Sequence, residues 1–219
     1  STYSNITGAT SATYTASDLT ATTFYKAVVT SGVCPAATTT AAVGVTVSPI
    51  AVATAITGGG STCFGTVKVL TLSTGYAGSI QWQTSTNNVN FTNISAATTA
   101  TYSVAATTVA GTYYYRAVLS SGACSPATTE SVSVTVNPTS LAGTISGAAT
   151  VCTGTNSTTL TLTGSTGAIQ WQSASPLATS TYSNITGATS ATYTASDLTA
   201  TTFYKAVVTS GVCPAATTT

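Results

Sequence analysis

Histidine and methionine do not occur in this chain, and charged residues make up only 3% of it. Without histidine, the commonest general base and the Ser-His-Asp arrangement are both excluded. The acids are Asp18, Glu130 and Asp197. Asp18 and Asp197 hold the same position in two copies of one repeat, so no carboxylate pair of glycosidase spacing is expected, and the chain reads as no enzyme. Calcium in a β-sandwich array needs several oxygen ligands and zinc needs thiolates with histidines or further cysteines, so neither metal nor any cofactor is expected. The bases, Lys26, Lys68, Arg116 and Lys205, are scattered. Neutralising phosphates takes clustered Lys and Arg, which argues against nucleic acid. No apolar run approaches the ~20 residues of a membrane helix: the stretch from Val43 to Ile56 is broken by Thr46, Ser48, Pro49 and Thr54. No leader is visible at Ser1, and the reading is a window on a longer or processed protein.

What is present is a hydrophobic fraction of 43%, enough to bury cores, beneath a surface kept wet by Thr, Ser, Asn and Gln. Repetition organises it. Residues 1–40 recur letter for letter as 180–219, a shift of 179. A diverged period is half as long: Val47-Ser48-Pro49 matches Val136-Asn137-Pro138, Cys63 matches Cys152, and Ile80-Gln81-Trp82-Gln83 matches Ile169-Gln170-Trp171-Gln172, each 89 residues on. A unit of this length approaches the ~100 residues of an immunoglobulin-like sandwich. The expected organisation is 1–48, the back half of one module; 49–137, a complete module; and 138–219, a module lacking its last strand. If the longer period continues, the missing strand reads as 41–47 does.

Alternation rich in β-branched and aromatic residues, bounded by Gly, Ser, Asn and Pro, predicts strands and no helix. In the complete module they fall near 53–57, 67–73, 79–84, 90–94, 99–104, 111–120 and 130–136. Seven short strands fit two sheets with Greek-key wiring. Period two turns Ile80 and Trp82 inward and Gln81 and Gln83 outward, making Trp82 and Trp171 the expected core centres. Tyr25, Tyr115 and Tyr204 fall on the inner face of the penultimate strand, where a tyrosine corner would sit. Tyr25, Ala27 and Val29 share that inner face in the first copy. Phe24, Tyr114 and Phe203, beside Lys26, Arg116 and Lys205, face outward, as a surface for sugars or a neighbouring strand or else as aromatics tucked under an adjacent edge. Asp18 and Asp197 read as caps of the turn before that strand, and Gly58-Gly59-Gly60 as a turn before Cys63. The Asn-x-Ser/Thr triplets at Asn5, Asn90, Asn93, Asn156 and Asn184 are expected by chance in a chain this rich in Asn and Thr.

Five cysteines stand at 34, 63, 124, 152 and 213. The interval from 63 to 124 equals that from 152 to 213, 61 residues in each. This favours Cys63–Cys124 and Cys152–Cys213 within modules, with the partner of Cys34 upstream; the rival, Cys34–Cys63 and Cys124–Cys152, would staple neighbours together. Either pattern implies an oxidising compartment outside the cytoplasm.

Cys63-Phe64-Gly65-Thr66, Ile80 to Gln83, Asn90 to Ile94, Tyr113 to Val118 and Ser121 to Cys124 together resemble the immunoglobulin-like repeats of giant Bacteroidota surface proteins, most nearly those of SprB-like gliding-motility adhesins of flavobacteria exported by type 9 secretion. The resemblance implies an extracellular or cell-surface filament. Its implied partners are the neighbouring modules of the same chain, other copies of the filament, and surface polysaccharide. The alternative is a set of carbohydrate-binding or spacer modules in a secreted multidomain protein.

Overall fold

The computed structural model describes residues 2–33, 38–176 and 181–218. Apart from a 3₁₀ residue at Pro176, every regular element among them is a β-strand. The best-formed unit is the middle sandwich. Its smaller sheet orders Thr101–Val104, Lys68–Leu72 and Ile56–Thr57; its larger sheet orders Gly60–Cys63, Val132–Asn137, Gly111–Ser121, Ser79–Ser85 and Thr92–Asn93, with Cys124–Thr128 also paired to Gly111–Ser121. The fold is all-β, with tandem immunoglobulin-like or fibronectin-type sandwiches.

Alternation on the strands closes the core. Trp82, Leu70, Leu119, Val104 and Val134 are fully buried, and Tyr115, Ala117 and Val136 join them. The Trp82 indole Nε1 donates to the Thr99 carbonyl at 2.9 Å, so its polar edge is satisfied inside the apolar layer. Tyr102 bridges Trp82 and Tyr115, with ring centroids 5.9 and 5.5 Å away. The C-terminal sandwich repeats this with Trp171, Tyr193 and Tyr204, and the Trp171 Nε1 donates to the Ser190 carbonyl at 2.9 Å. Its sheets are Thr144–Ser146, Ser157–Thr163 and Thr192–Ser196, and Ser183–Asn184, Ala168–Ala174, Phe203–Thr209 and Ala216–Thr217.

The first 48 residues differ. They form two two-stranded sheets, Thr23–Tyr25 with Val43–Val45 and Val28–Val29 with Thr38–Thr39. Tyr25 stays half-buried and Val29 is exposed, against the expectation of an inward core face. The reason is the lack in this stretch of any counterpart of the tryptophan strand Ser79–Ser85, against which such a face would pack.

Three further local readings are corrected. Gly60 opens a strand instead of closing a turn: Gly60–Cys63 runs parallel to Val132–Asn137, setting Cys63 opposite Asn137. The upstream hydrogen bond of a tyrosine corner is made by Tyr113, whose hydroxyl donates to the Val109 carbonyl at 3.0 Å, while Tyr115 belongs to the core. Asp18 and Asp197 hold the left-handed backbone conformation, φ 54° and 53°, so they shape the turn through the main chain, as Asp tolerates.

The disulfide is the largest correction. Cys63 bonds to Cys213, 150 residues away, with Cα atoms 5.0 Å apart; Cys124 and Cys152 are free. Neither Cys63–Cys124 nor Cys152–Cys213 forms, and strand direction shows why. Cys63 lies beside Asn137, at the end of the sandwich where Gly111 begins its strand opposite Val136. Cys124 follows Ser121, at the far end of that same eleven-residue strand. Eleven residues at ~3.4 Å put the two cysteines over 30 Å apart, whereas a disulfide requires Cα atoms within ~7 Å. In the C-terminal sandwich Cys152 lies near Ser157, and Cys213 lies past Thr209, again at opposite ends. Cys34, in the rival pairing, lies outside the described residues.

Candidate functional site

Two features carry chemistry: the junction between sandwiches and the outward face of the tryptophan-bearing sheets. At the junction, the turn Ser210–Cys213 of the C-terminal sandwich sits on the end of the middle sandwich's closing strand. Ser210 N–H donates to Ser140 Oγ at 2.9 Å, and Cys213 Sγ lies 3.2 Å from the Pro138 carbonyl oxygen. Gly211 is required twice over: its φ is +52°, and a Cβ there would collide with the Asn137 amide. Asn137 in turn donates to the Thr62 carbonyl at 3.2 Å, and its own carbonyl accepts from Phe64 N–H at 2.8 Å, tying the cysteine strand to the same spot.

The same constellation recurs one module earlier. Gly122 has φ +52°, and a Cβ on it would meet the Ser48 hydroxyl; the Cys124 thiol donates to the Ser48 carbonyl at 3.5 Å. Ser48 and Asn137 are equivalent positions, as are Cys124 and Cys213. One junction carries a disulfide, and the other carries a half-buried thiol in the same setting.

On the outward face, Arg116 and Gln83 sit opposite each other in register, and Arg116 Nε donates to Gln83 Oε1 at 2.7 Å. Gln83 Nε2 donates to Asn93 Oδ1 at 2.8 Å, and Gln172 repeats this with Asn184 at 2.8 Å. The guanidinium lies over the Phe91 ring, 4.0 Å from its centroid; Lys205 lies over Tyr182 at 4.2 Å and Lys26 over Tyr3 at 4.5 Å. The cation is thus covered by the aromatic of the Tyr-Ser-Asn-Ile or Phe-Thr-Asn-Ile segment and leaves Phe24, Tyr114 and Phe203 to themselves. Of these, Phe24 is 59% and Phe203 43% exposed, while Tyr114 is half-buried. Sequence reasoning missed the cation's partner. The signal was there in the aromatic two residues before each of Asn5, Asn93 and Asn184.

Three of the five Asn-x-Ser/Thr asparagines have hydrogen-bonded side chains: Asn93 and Asn184 accept from glutamines, and Asn156 donates to the Cys152 and Leu198 carbonyls at 2.7 and 2.8 Å. Two equivalent open depressions lie beside Gly8 and Gly187, lined by small hydroxyl and methyl side chains with Tyr14 and Tyr193. Among the described residues, no group of three or more Cys, Asp or Glu comes together to hold a metal, and no helix is long and apolar enough to cross a membrane.

A profile described as a domain of unknown function, DUF8696, matches residues 1–49, 52–138 and 141–219. No curated protein matches. Solved structures that resemble the chain include titin domains (16% identity, 82% of this chain and 68% of that one, TM-score 0.41). An ice-binding adhesin of an Antarctic bacterium resembles it over 77% of this chain and 48% of its own (17% identity, TM-score 0.33). Two fibronectin type-III domains of chicken tenascin do so over 70% and 90% (12% identity, TM-score 0.35). The chain spans about half the length of the adhesin segment.

Proposed function

The chain belongs to the DUF8696 family along three consecutive segments, and from that premise we propose that it is a structural and adhesive repeat region of an extracellular or cell-surface filament. The modules divide at 48/49 and 137/138, and the array is exported to an oxidising compartment. The observation that carries this reading is the disulfide that crosses from one sandwich to the next. A bond placed between modules does nothing for a ligand pocket within either; it fixes how successive modules stack and share load. The near absence of charge fits a surface made for packing over one made for electrostatic steering. By the resemblance of its motifs, the full protein is a Bacteroidota gliding or attachment adhesin exported by type 9 secretion.

The test is surface labelling. Antibody raised against residues 49–137 is expected to decorate filaments on intact cells of the source organism and to lose its target after mild protease treatment. Labelling only after permeabilisation would remove the reading. A second reading, binding of polysaccharide, is favoured by the exposed rings of Phe24 and Phe203. Glycan-array binding that disappears in a Phe203→Ala variant would establish it.

A further inference from the structure

Cys63 and Cys213 are not a matched pair within one repeat. Cys63 is a first-position cysteine, with Cys152 as its copy 89 residues on, and Cys213 is a second-position cysteine, with Cys124 as its counterpart. The observed bond therefore joins the first-position cysteine of one module to the second-position cysteine of the module that follows it. We propose that Cys124 and Cys152 are the open halves of two more such bridges, each made with a further copy of this module joined in tandem, so that every junction of the array is covalently closed. The proposal rests on the tandem-array reading of function.

Three observations carry it. The first is the repeated junction: the turns holding Cys124 and Cys213 both pack a left-handed glycine against the residue that ends the preceding closing strand, Ser48 and Asn137 respectively. Cys124 already sits where Cys213 sits when bonded, its sulfur 3.5 Å from the Ser48 carbonyl, as that of Cys213 is 3.7 Å from the Asn137 carbonyl. The second is what is missing around it. A partner must come from the cysteine strand of the preceding module, as Cys63 does for Cys213, and residues 1–48 contain no counterpart of Gly60–Cys63. The third is at the other end. Cys152 is exposed, and the described residues of its sandwich include no closing strand equivalent to Val132–Asn137 for its segment to pair with. The cysteine strand exists in the middle sandwich because it has that parallel partner; Cys152 lacks the partner strand and a docked turn together.

The occupant is the same in both cases, since the bonded junction displays it: a copy of the cysteine strand for Cys124, and a copy of the Ser-Gly-x-Cys turn for Cys152. Each bridge joins two thiols with loss of two protons and two electrons. The acceptor is a disulfide-donating oxidase of the export compartment or, in vitro, oxidised glutathione.

The experiment is disulfide mapping on the chain lengthened by repeating residues 41–219 after Thr219, which continues the 179-residue period. The protein is refolded with oxidised and reduced glutathione, its remaining thiols are alkylated, and it is digested without reduction. Three bridges are expected: Cys63 to Cys213, Cys152 to the second copy of Cys124, and the second copy of Cys63 to the second copy of Cys213. The original Cys124 should stay alkylated. A Cys152-to-Cys213 peptide, or Cys152 recovered as an alkylated thiol while the other two bridges form, overturns the proposal. A Cys152→Ser version should lose one bridge and retain the other two; wholesale scrambling in it would equally count against independent junction bridges. Because mapping reads connectivity alone, its failure would leave the surface location untouched, and a failure of surface labelling would leave the connectivity standing.

Discussion

At the scale of single residues, the three copies agree on a hydrogen bond that composition hides. The hydroxyl of Thr40, Thr129 or Thr218 accepts from the backbone N–H of Ala27, Ala117 or Ala206, at 3.0, 3.0 and 2.9 Å, while the threonine's own N–H donates to that alanine's carbonyl. A side chain thus replaces a main-chain acceptor where the hairpin strand leaves its ladder. Replacing Thr129 by valine keeps the shape and strands a buried N–H. It should cost about 1–3 kcal/mol of stability, read as a lower urea midpoint; an unchanged midpoint would mean that water fills the place. Tyr115 offers a pH test. Burial, with Tyr102 nearby adding to it and a hydrogen bond to Thr84 opposing, pushes its hydroxyl from the ordinary 10.0 up to about 12; burial moves Tyr102 and Tyr204 the same way. The folded state holds this proton more tightly than the unfolded one. Its stabilising contribution is therefore intact below pH 10 and drains away as pH rises from 10 through about 12. The urea midpoint should fall across that window, and a flat profile there would refute it.

At the scale of elements, period-two alternation made most of the middle sandwich legible. Ser79–Ser85 and Gly111–Ser121 lie within a residue of their expected bounds, because each is long, central and half apolar. Gly60–Cys63 was illegible for the opposite reason: its sequence is Gly-Ser-Thr-Cys, with no apolar rhythm, and it is a strand only because Val132–Asn137 offers it a parallel edge. Read as a turn, it offered no strand direction for Cys63, and the equal 61-residue intervals alone set the expected pairing. Spacing gives an interval along the chain; strand direction decides which ends meet. The corrected pairing makes a sharp comparison between two chemically identical substitutions. Cys213→Ser removes a bridge spanning 150 residues, worth up to roughly 5 kcal/mol by the chain-entropy relation, and should lower the thermal midpoint markedly. Cys124→Ser removes only a thiol and should leave the midpoint nearly unchanged. Comparable losses for the two substitutions, measured on oxidised protein, would restore the pairing within modules.

At the scale of the whole molecule, the bridge changes how the chain responds to pulling. A disulfide between positions 63 and 213 takes the intervening backbone out of the load path. Reduced, that stretch could lengthen to about 500 Å at ~3.4 Å per residue; oxidised, it cannot contribute. Closing every junction strengthens the effect. The shortest load path would then pass through alternate bridges and the backbone from a second-position to the next first-position cysteine, an interval equal to that from 34 to 63, which is 29 residues or about 100 Å fully drawn out for every two modules. Two folded sandwiches, each as long as its eleven-residue strand, already measure about 75 Å. Such an array would stretch by less than half even if its exposed linkers and edge strands unravelled, which suits a fibre that must pass force without paying out slack. Single-molecule pulling on the present chain, tethered at Ser1 and Thr219, tests the principle directly. Under oxidising conditions the trace should end without any release from the region between Cys63 and Cys213, and adding a reductant should expose a further gain of about 500 Å. Equal final lengths with and without reductant would show that the junction carries no covalent load.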